Sequence, residues 1–242
     1  MAASKEMTFL EHLGELRRRL TYSLIAVAVF FLVSWCFARP LFRFLELPIR
    51  PYLSAEQPTF VFTELATPFV TYLKVALLFG VLFASPVILW QVWRFISPGL
   101  YATERLAALP FLFGTTVFFA LGCAFGYAVA FPRVCEFLLS VGADFRPMLT
   151  VDKYLSLMSK IVLGLGLVFE IPVLTYFLAR LGIVTSGFLV HWWRFVVVGI
   201  FLTAAVLTPT PDIATQLVFA VPMLILYALS IGIAWFCQKR SS

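Results

Sequence analysis

Residues 161–179 read IVLGLGLVFEIPVLTYFLA, and this stretch decides the fold. From Ile161 to Ala179 every position is apolar or small except Thr175, Tyr176 and one carboxylate, Glu170, at the middle. A run of about 20 such residues matches a hydrocarbon core of about 30 Å. An acid at its centre costs about 2.5–3.5 kcal/mol on insertion scales, so Glu170 requires a reason. Gly166, one turn earlier on the same face, is expected to leave room beside the carboxyl group. Pro172 cannot donate to the carbonyl of Val168, which predicts a bend next to Glu170 with an acceptor left free. Two roles stay open for Glu170. It is a structural residue hydrogen-bonded between helices, or a contact for a partner or substrate inside the membrane.

Working outward, the 242 residues are 62% hydrophobic and only 12% charged, against about 25% charged in soluble domains. The chain is therefore an integral membrane protein, a single transmembrane domain with the lipid bilayer as its first partner. The net charge of +6 is not a nucleic-acid signal, because most cations flank apolar spans and no basic patch is interleaved with polar residues. Cys36, Cys123, Cys135 and Cys237 show no C-x-x-C spacing, which argues against a metal site or a disulfide framework. A bond between Cys36 and Cys135, both expected near the outer surface, is left open.

The chain opens with an amphipathic helix over 8–19. Thr8 and Glu11 fit a capping box. Phe9, Leu10, Leu13, Leu16 and Leu20 form the apolar stripe. Glu15 and Arg19 stand at i,i+4 in the favourable order, and Arg17, Arg18 and Arg19 anchor the first span. Spans are predicted at 20–38, 68–93, 106–132, 152–179, 193–207 and 211–236. The first is too long for a signal-peptide core and lacks a small-residue cleavage site, so it is read as uncleaved. External loops are predicted over 39–66, with Pro40, Pro48, Pro51 and Pro58, and over 133–153. The first of them is expected to fold into short pieces that cap the spans, with Pro48 as a structural element. Thr67-Pro68 fits a helix start. Gly122-x-x-x-Gly126 is a helix-packing signal. His191, Trp192, Trp193 and Arg194 suit the membrane interface. The uncharged part of span five, Phe195–Leu207, covers only about 20 Å, which predicts local thinning of the bilayer. Thr210-Pro211-Asp212 reads as cap, first position and first-turn acid of span six, giving Asp212 a structural role.

Six spans put both termini on one side. Ten of the eighteen cations lie there (Lys5, Arg17, Arg18, Arg19, Arg94, Arg105, Arg180, Arg194, Lys239 and Arg240), against six in the long external loops. This favours cytoplasmic termini. Pro86, Pro172 and Pro222 recur in the even-numbered spans, each followed by aliphatics and an aromatic. The expected fold is an all-α bundle of six transmembrane helices, concave and with several helices bent at prolines.

Catalytic chemistry is absent from the motifs. There is no phosphate loop, no G-x-S-x-G and no H-E-x-x-H, and the only histidines are His12 and His191. No enzyme activity, cofactor or metal is expected. What remains is transport or recognition at the membrane. A secondary transporter using Glu170 as a proton or ion site is one alternative, with Lys160 and Gln216 as its additional polar groups. A structural scaffold is another, and would leave Glu15 and Glu104 dispensable.

Four stretches carry a resemblance: His12-Leu-Gly-Glu-Leu-Arg17; Ser85-Pro-Val-Ile-Leu-Trp-Gln-Val-Trp-Arg-Phe-Ile-Ser-Pro-Gly-Leu-Tyr101 with Glu104-Arg105; Phe169-Glu-Ile-Pro-Val173; and Thr208-Pro-Thr-Pro-Asp212 with Gln216 and Ala220-Val-Pro222. In this order and over essentially the whole length, the chain resembles the TatC family, signal-peptide receptor subunits of the twin-arginine protein translocase. It departs where many members have an acid after the aromatic of the sixth span, for here Tyr227-Ala228 stands. The resemblance implies a multi-pass protein of a bacterial-type cytoplasmic (inner) membrane. It would bind twin-arginine signal peptides of folded cargo and recruit TatA-type and TatB-type single-span partners, with export driven by the proton-motive force; a homo-oligomer stays open. It implies Glu15 and Glu104 as the acids for the arginine pair, with Phe95 close by and Arg17 and Arg105 holding the acids. Glu170 and Gln216 would face the concavity and contact partner helices or the inserted signal-peptide hairpin.

Overall fold

The computed structural model describes residues 9–52, 60–96, 108–144, 148–180, 182–209 and 212–239. Ten α-helices are described: α1 (Phe9–Cys36), α2 (Ala38–Glu46), α3 (Thr67–Ile96), α4 (Ala108–Phe125), α5 (Phe131–Val141), α6 (Val151–Val168), α7 (Ile171–Arg180), α8 (Ser186–His191), α9 (Trp193–Leu207) and α10 (Ile213–Lys239). Five helical runs are long and apolar enough to cross a bilayer, and α9 is the shorter sixth. The all-α, six-span architecture follows. Below, the face carrying the start of α1 and the end of α10 is the terminal face, and the face carrying α2 is the loop face.

The 161–179 stretch lies within the α6–α7 run, the most buried of the five, whereas α1 is the least buried. Leu155, Met158, Ile161 and Leu165 of α6 are fully buried. Close approach to α4 rests on glycines. A Cβ on Gly122 would stand 2.5 Å from the Leu165 carbonyl oxygen, and one on Gly126 would stand 3.1 Å from Val162 Cα. The seam between α1 and α3 works likewise: a Cβ on Gly80 would stand 3.0 Å from Phe31 Cα, and Trp35 lies edge-on to Phe69.

The prolines act differently from one another. Pro86 lies inside an unbroken α3. Its missing N–H frees the Leu82 carbonyl, and the Ser85 hydroxyl donates to that oxygen at 2.7 Å. At Pro172 the preceding residue is Ile171, which has no such donor, and the span splits into α6 and α7 with Phe169 and Glu170 between them. Pro222 lies inside α10, which also runs through without a break.

Two boundaries differ from expectation. The external loop predicted over 133–153 is helical to Val141, because a π-helical turn at Gly126–Ala130 precedes Pro132 in the first turn of α5. The wider turn lets the run continue past a residue with no N–H. Span six starts at Ile213, and Asp212 itself is the cap: its Oδ1 accepts from the Thr215 backbone N–H at 2.7 Å. Thr8, Thr210 and Pro211 lie outside the described residues.

On the loop face, the described parts of the 39–66 segment include α2 and a short 3-10 turn at Arg50–Tyr52. Pro48 stands in the turn ending α2 and delivers Ile49, only 2% exposed, into the core. Phe44 stacks on Tyr127 at 4.7 Å, and the Tyr127 hydroxyl donates to the Phe44 carbonyl at 2.6 Å. The Tyr154 hydroxyl donates to the Leu45 carbonyl. Val61 exchanges backbone hydrogen bonds with Leu149 and Val151, at 3.0 and 3.2 Å. Lys74 pairs with Asp152 across α3 and α6. Cys36 is exposed and Cys135 buried, and no disulfide joins them.

Candidate recognition site at the ends of α1 and α3

On α1, His12, Glu15 and Arg19 recur at spacings of three and four and share one face. Gln91 and Phe95 share a face of α3 by the same rule. The helices run antiparallel, so the two stripes meet near the terminal face. The His12 ring stacks on Phe95 with centroids 4.5 Å apart and planes at 26°. One to two turns further along, Arg19 Nη2 donates to Glu15 Oε1 at 2.9 Å, and Arg19 Nη1 donates to Gln91 Oε1 at 3.3 Å. The acid and its arginine are part-buried, their side chains 18% and 14% exposed.

This brings together two of the expected site residues, Glu15 and Phe95, on facing helices. Arg17, expected to hold Glu15, is exposed, and Arg19 makes that contact. Glu104 and Arg105 lie outside the described residues. His12, Arg19 and Gln91 were not expected as site residues. The i,i+4 relation of Gln91 to Phe95 was a usable signal, but choosing Gln91 as Arg19's acceptor requires the register of α1 on α3.

The second candidate is the break between α6 and α7. The Glu170 N–H donates to the Leu167 carbonyl at 3.1 Å, and its carbonyl accepts from Leu174 at 2.9 Å. The residue is 5% exposed, and Oε1 has no hydrogen-bond partner among the described residues. Glu170 is thus enclosed, not open on a concave surface. Gly166 does not leave the room expected beside it: a Cβ there would meet Cys123 Sγ at 2.6 Å and Phe119 at 2.9 Å, so α4 fills the space. Gln216 is engaged elsewhere. Its Nε2 donates to the Phe201 carbonyl at 2.8 Å and ties α10 to α9. Lys160 is exposed. The convergent polar set that a secondary transporter requires is not assembled around Glu170 by these residues.

Comparison with known proteins gives the family. The family model described as "Sec-independent protein translocase protein (TatC)" matches residues 11–222. A Sec-independent protein translocase protein TatC from Koribacter versatilis is 43% identical over 241 residues, covering 99% of this chain and 89% of that protein. One from Aquifex aeolicus is 38% identical over 238 residues, covering 97% of both chains. The crystal structure of a "Twin Arginine Translocase Receptor- TatC" superposes with a TM-score of 0.81 at 35% identity, covering 94% of this chain and 99% of that one. A second crystal structure of the receptor, in DDM, gives a TM-score of 0.82 over 92% of this chain. The chain belongs to the TatC family: it is a membrane-embedded component of the Sec-independent protein translocase and not an enzyme.

Proposed function

We propose that the chain is the receptor subunit that binds the arginine pair of twin-arginine signal peptides on folded cargo, with Glu15 and Glu104 as the two acids. The observation that carries this reading is a part-buried carboxylate, Glu15, held in a fixed place at the junction of α1 and α3. A guanidinium presents a planar fork of donors that a carboxylate accepts in bidentate fashion, and an ammonium does not reproduce it. Two arginines call for about two acids, and the family motif supplies Glu104 as the second. Phe95 adds an aromatic surface on which a guanidinium can stack. Arg17 and Arg105 belong to the same site by motif. In this reading the terminal face is cytoplasmic and the bilayer is a bacterial-type inner membrane.

A photoreactive phenylalanine analogue placed at Phe95 tests the assignment. It is expected to capture an Arg-Arg signal peptide and to leave a Lys-Lys peptide uncaptured. Equal capture of both would remove the arginine site from this face.

The enclosed carboxylate at the α6–α7 break supports a separate role inside the bilayer. We assign Glu170 and Gln216 to contacts with TatA-type and TatB-type partner helices or the inserted signal-peptide hairpin, which reach Glu170 once the helices enclosing the α6–α7 break part. Glu170→Ala is expected to reduce crosslinking to those helices while peptide binding at the cytoplasmic face is retained. Undiminished crosslinking would return Glu170 to a purely structural role.

A further inference from the structure

The acid that reads the ligand is already occupied by an arginine of its own chain. Arg19 offers Glu15 the group that a signal peptide would offer, at a charge-assisted distance of 2.9 Å. Its other terminal nitrogen reaches Gln91 on α3 at the longer distance of 3.3 Å. Its Nε is buried and has no hydrogen-bond partner among the described residues. A buried arginine serving only as a strut is expected to have its donors satisfied, because an orphaned buried donor costs free energy. Arg19 is instead held by two contacts, one of them long, and its third donor is unanswered.

We propose that Arg19 is an internal stand-in for the ligand. It occupies Glu15 in the empty receptor, Gln91 steadies it there, and an incoming arginine binds by displacing it. The proposal rests on the reading of Glu15 as an arginine receptor.

Two consequences follow from the chemistry. In most empty receptors the part-buried carboxylate is paired, and the unpaired state is costly in a protein interior. And every ligand of Glu15 competes with the same internal cation. Its apparent affinity is divided by the fraction of receptors in which Glu15 is open. Competition of this kind scales all ligands equally. It leaves the arginine-over-lysine ratio unchanged and raises the threshold, so that weak cationic segments do not hold the site. Arg19 thereby acts as a gate on Glu15 and Gln91 as its support, and neither contacts the peptide in the bound state.

Equilibrium binding of labelled Arg-Arg and Lys-Lys signal peptides to the purified full chain tests this. Arg19→Gln is expected to tighten both peptides by the same factor, roughly 3–10-fold, which corresponds to a self-occupancy of about 70–90%. Gln91→Leu is expected to tighten both by a smaller factor, since the pair with Glu15 remains. Arg18→Gln removes the same charge from an exposed position and is expected to leave both affinities near those of the parent. Weaker or unchanged binding in Arg19→Gln would overturn the proposal, as would an equal gain in Arg18→Gln. If Arg19→Gln does not fold, Gln91→Leu decides by the same criterion. Glu15→Ala separates the two levels of the argument. Retention of binding there refutes the receptor site itself, whereas loss there without a gain in Arg19→Gln refutes only the stand-in.

Discussion

Glu15→Ala is expected to abolish binding of an Arg-Arg signal peptide, weakening it about 30-fold or more, in a protein that still folds in the membrane. Truncating one partner of a hydrogen-bonded, desolvated charge pair costs about 2–5 kcal/mol, and each 1.4 kcal/mol is tenfold in affinity. The fold is expected to survive because α1 is fixed to α3 well beyond this site, by Gly80 against Phe31 and by the Trp35–Phe69 contact. Glu15→Ala also leaves Arg19 without its carboxylate, so Glu15→Gln is the companion variant. It keeps an oxygen for Arg19 and removes the charge. Peptide titration against the parent and both variants, with gel filtration as the check on folding, reads the outcome. Parent-like affinity in Glu15→Gln would mean that charge at this position does not select the ligand.

Gly122→Leu is expected to damage the fold more than any other single change discussed. The first added carbon would stand 2.5 Å from the Leu165 carbonyl oxygen, 2.8 Å from Phe169 Cβ and 2.9 Å from Gly166 Cα. Two of those three atoms are backbone, so no rotamer change relieves the clash and α4 must move away from α6. Overpacking of this kind costs about 1–3 kcal/mol and sometimes more. At about 2–4 °C per kcal/mol for a chain of this size, the melting midpoint in detergent is expected to fall by several degrees even for Gly122→Ala, and further for leucine. Gly232→Ala is the control. Nothing lies within 4 Å of its added carbon, and alanine is the better helix former, so no loss is expected. Equal melting of Gly122→Ala and Gly232→Ala would contradict the close-packed seam.

The spans are legible because each is an apolar run with few or no charges, and a bilayer leaves few other uses for such a run. Gly122-x-x-x-Gly126 was legible as a packing motif, and α6 is the helix it packs on. Other features depend on information outside the local sequence. The π-helical turn at Gly126–Ala130 carries the chain past Pro132, and no residue pattern announces it. Gly166 looked like space beside Glu170, yet a neighbouring helix claims that space. The pattern Thr210-Pro211 mimics a cap and a first helical residue and so sets Asp212 two positions too far into its helix. At the recognition site the Glu15–Arg19 pair was visible as an i,i+4 relation. The link to Gln91 was not, since it joins residues 72 positions apart through a helix register that only packing sets.

The most direct test of the arginine-receptor account is equilibrium binding of one labelled signal peptide to the purified protein in detergent, in Arg-Arg and Lys-Lys forms that are otherwise identical. The account predicts clear preference for Arg-Arg, because only a guanidinium presents the planar fork that a carboxylate such as Glu15 accepts in bidentate fashion. Equal affinity for the two forms would contradict it.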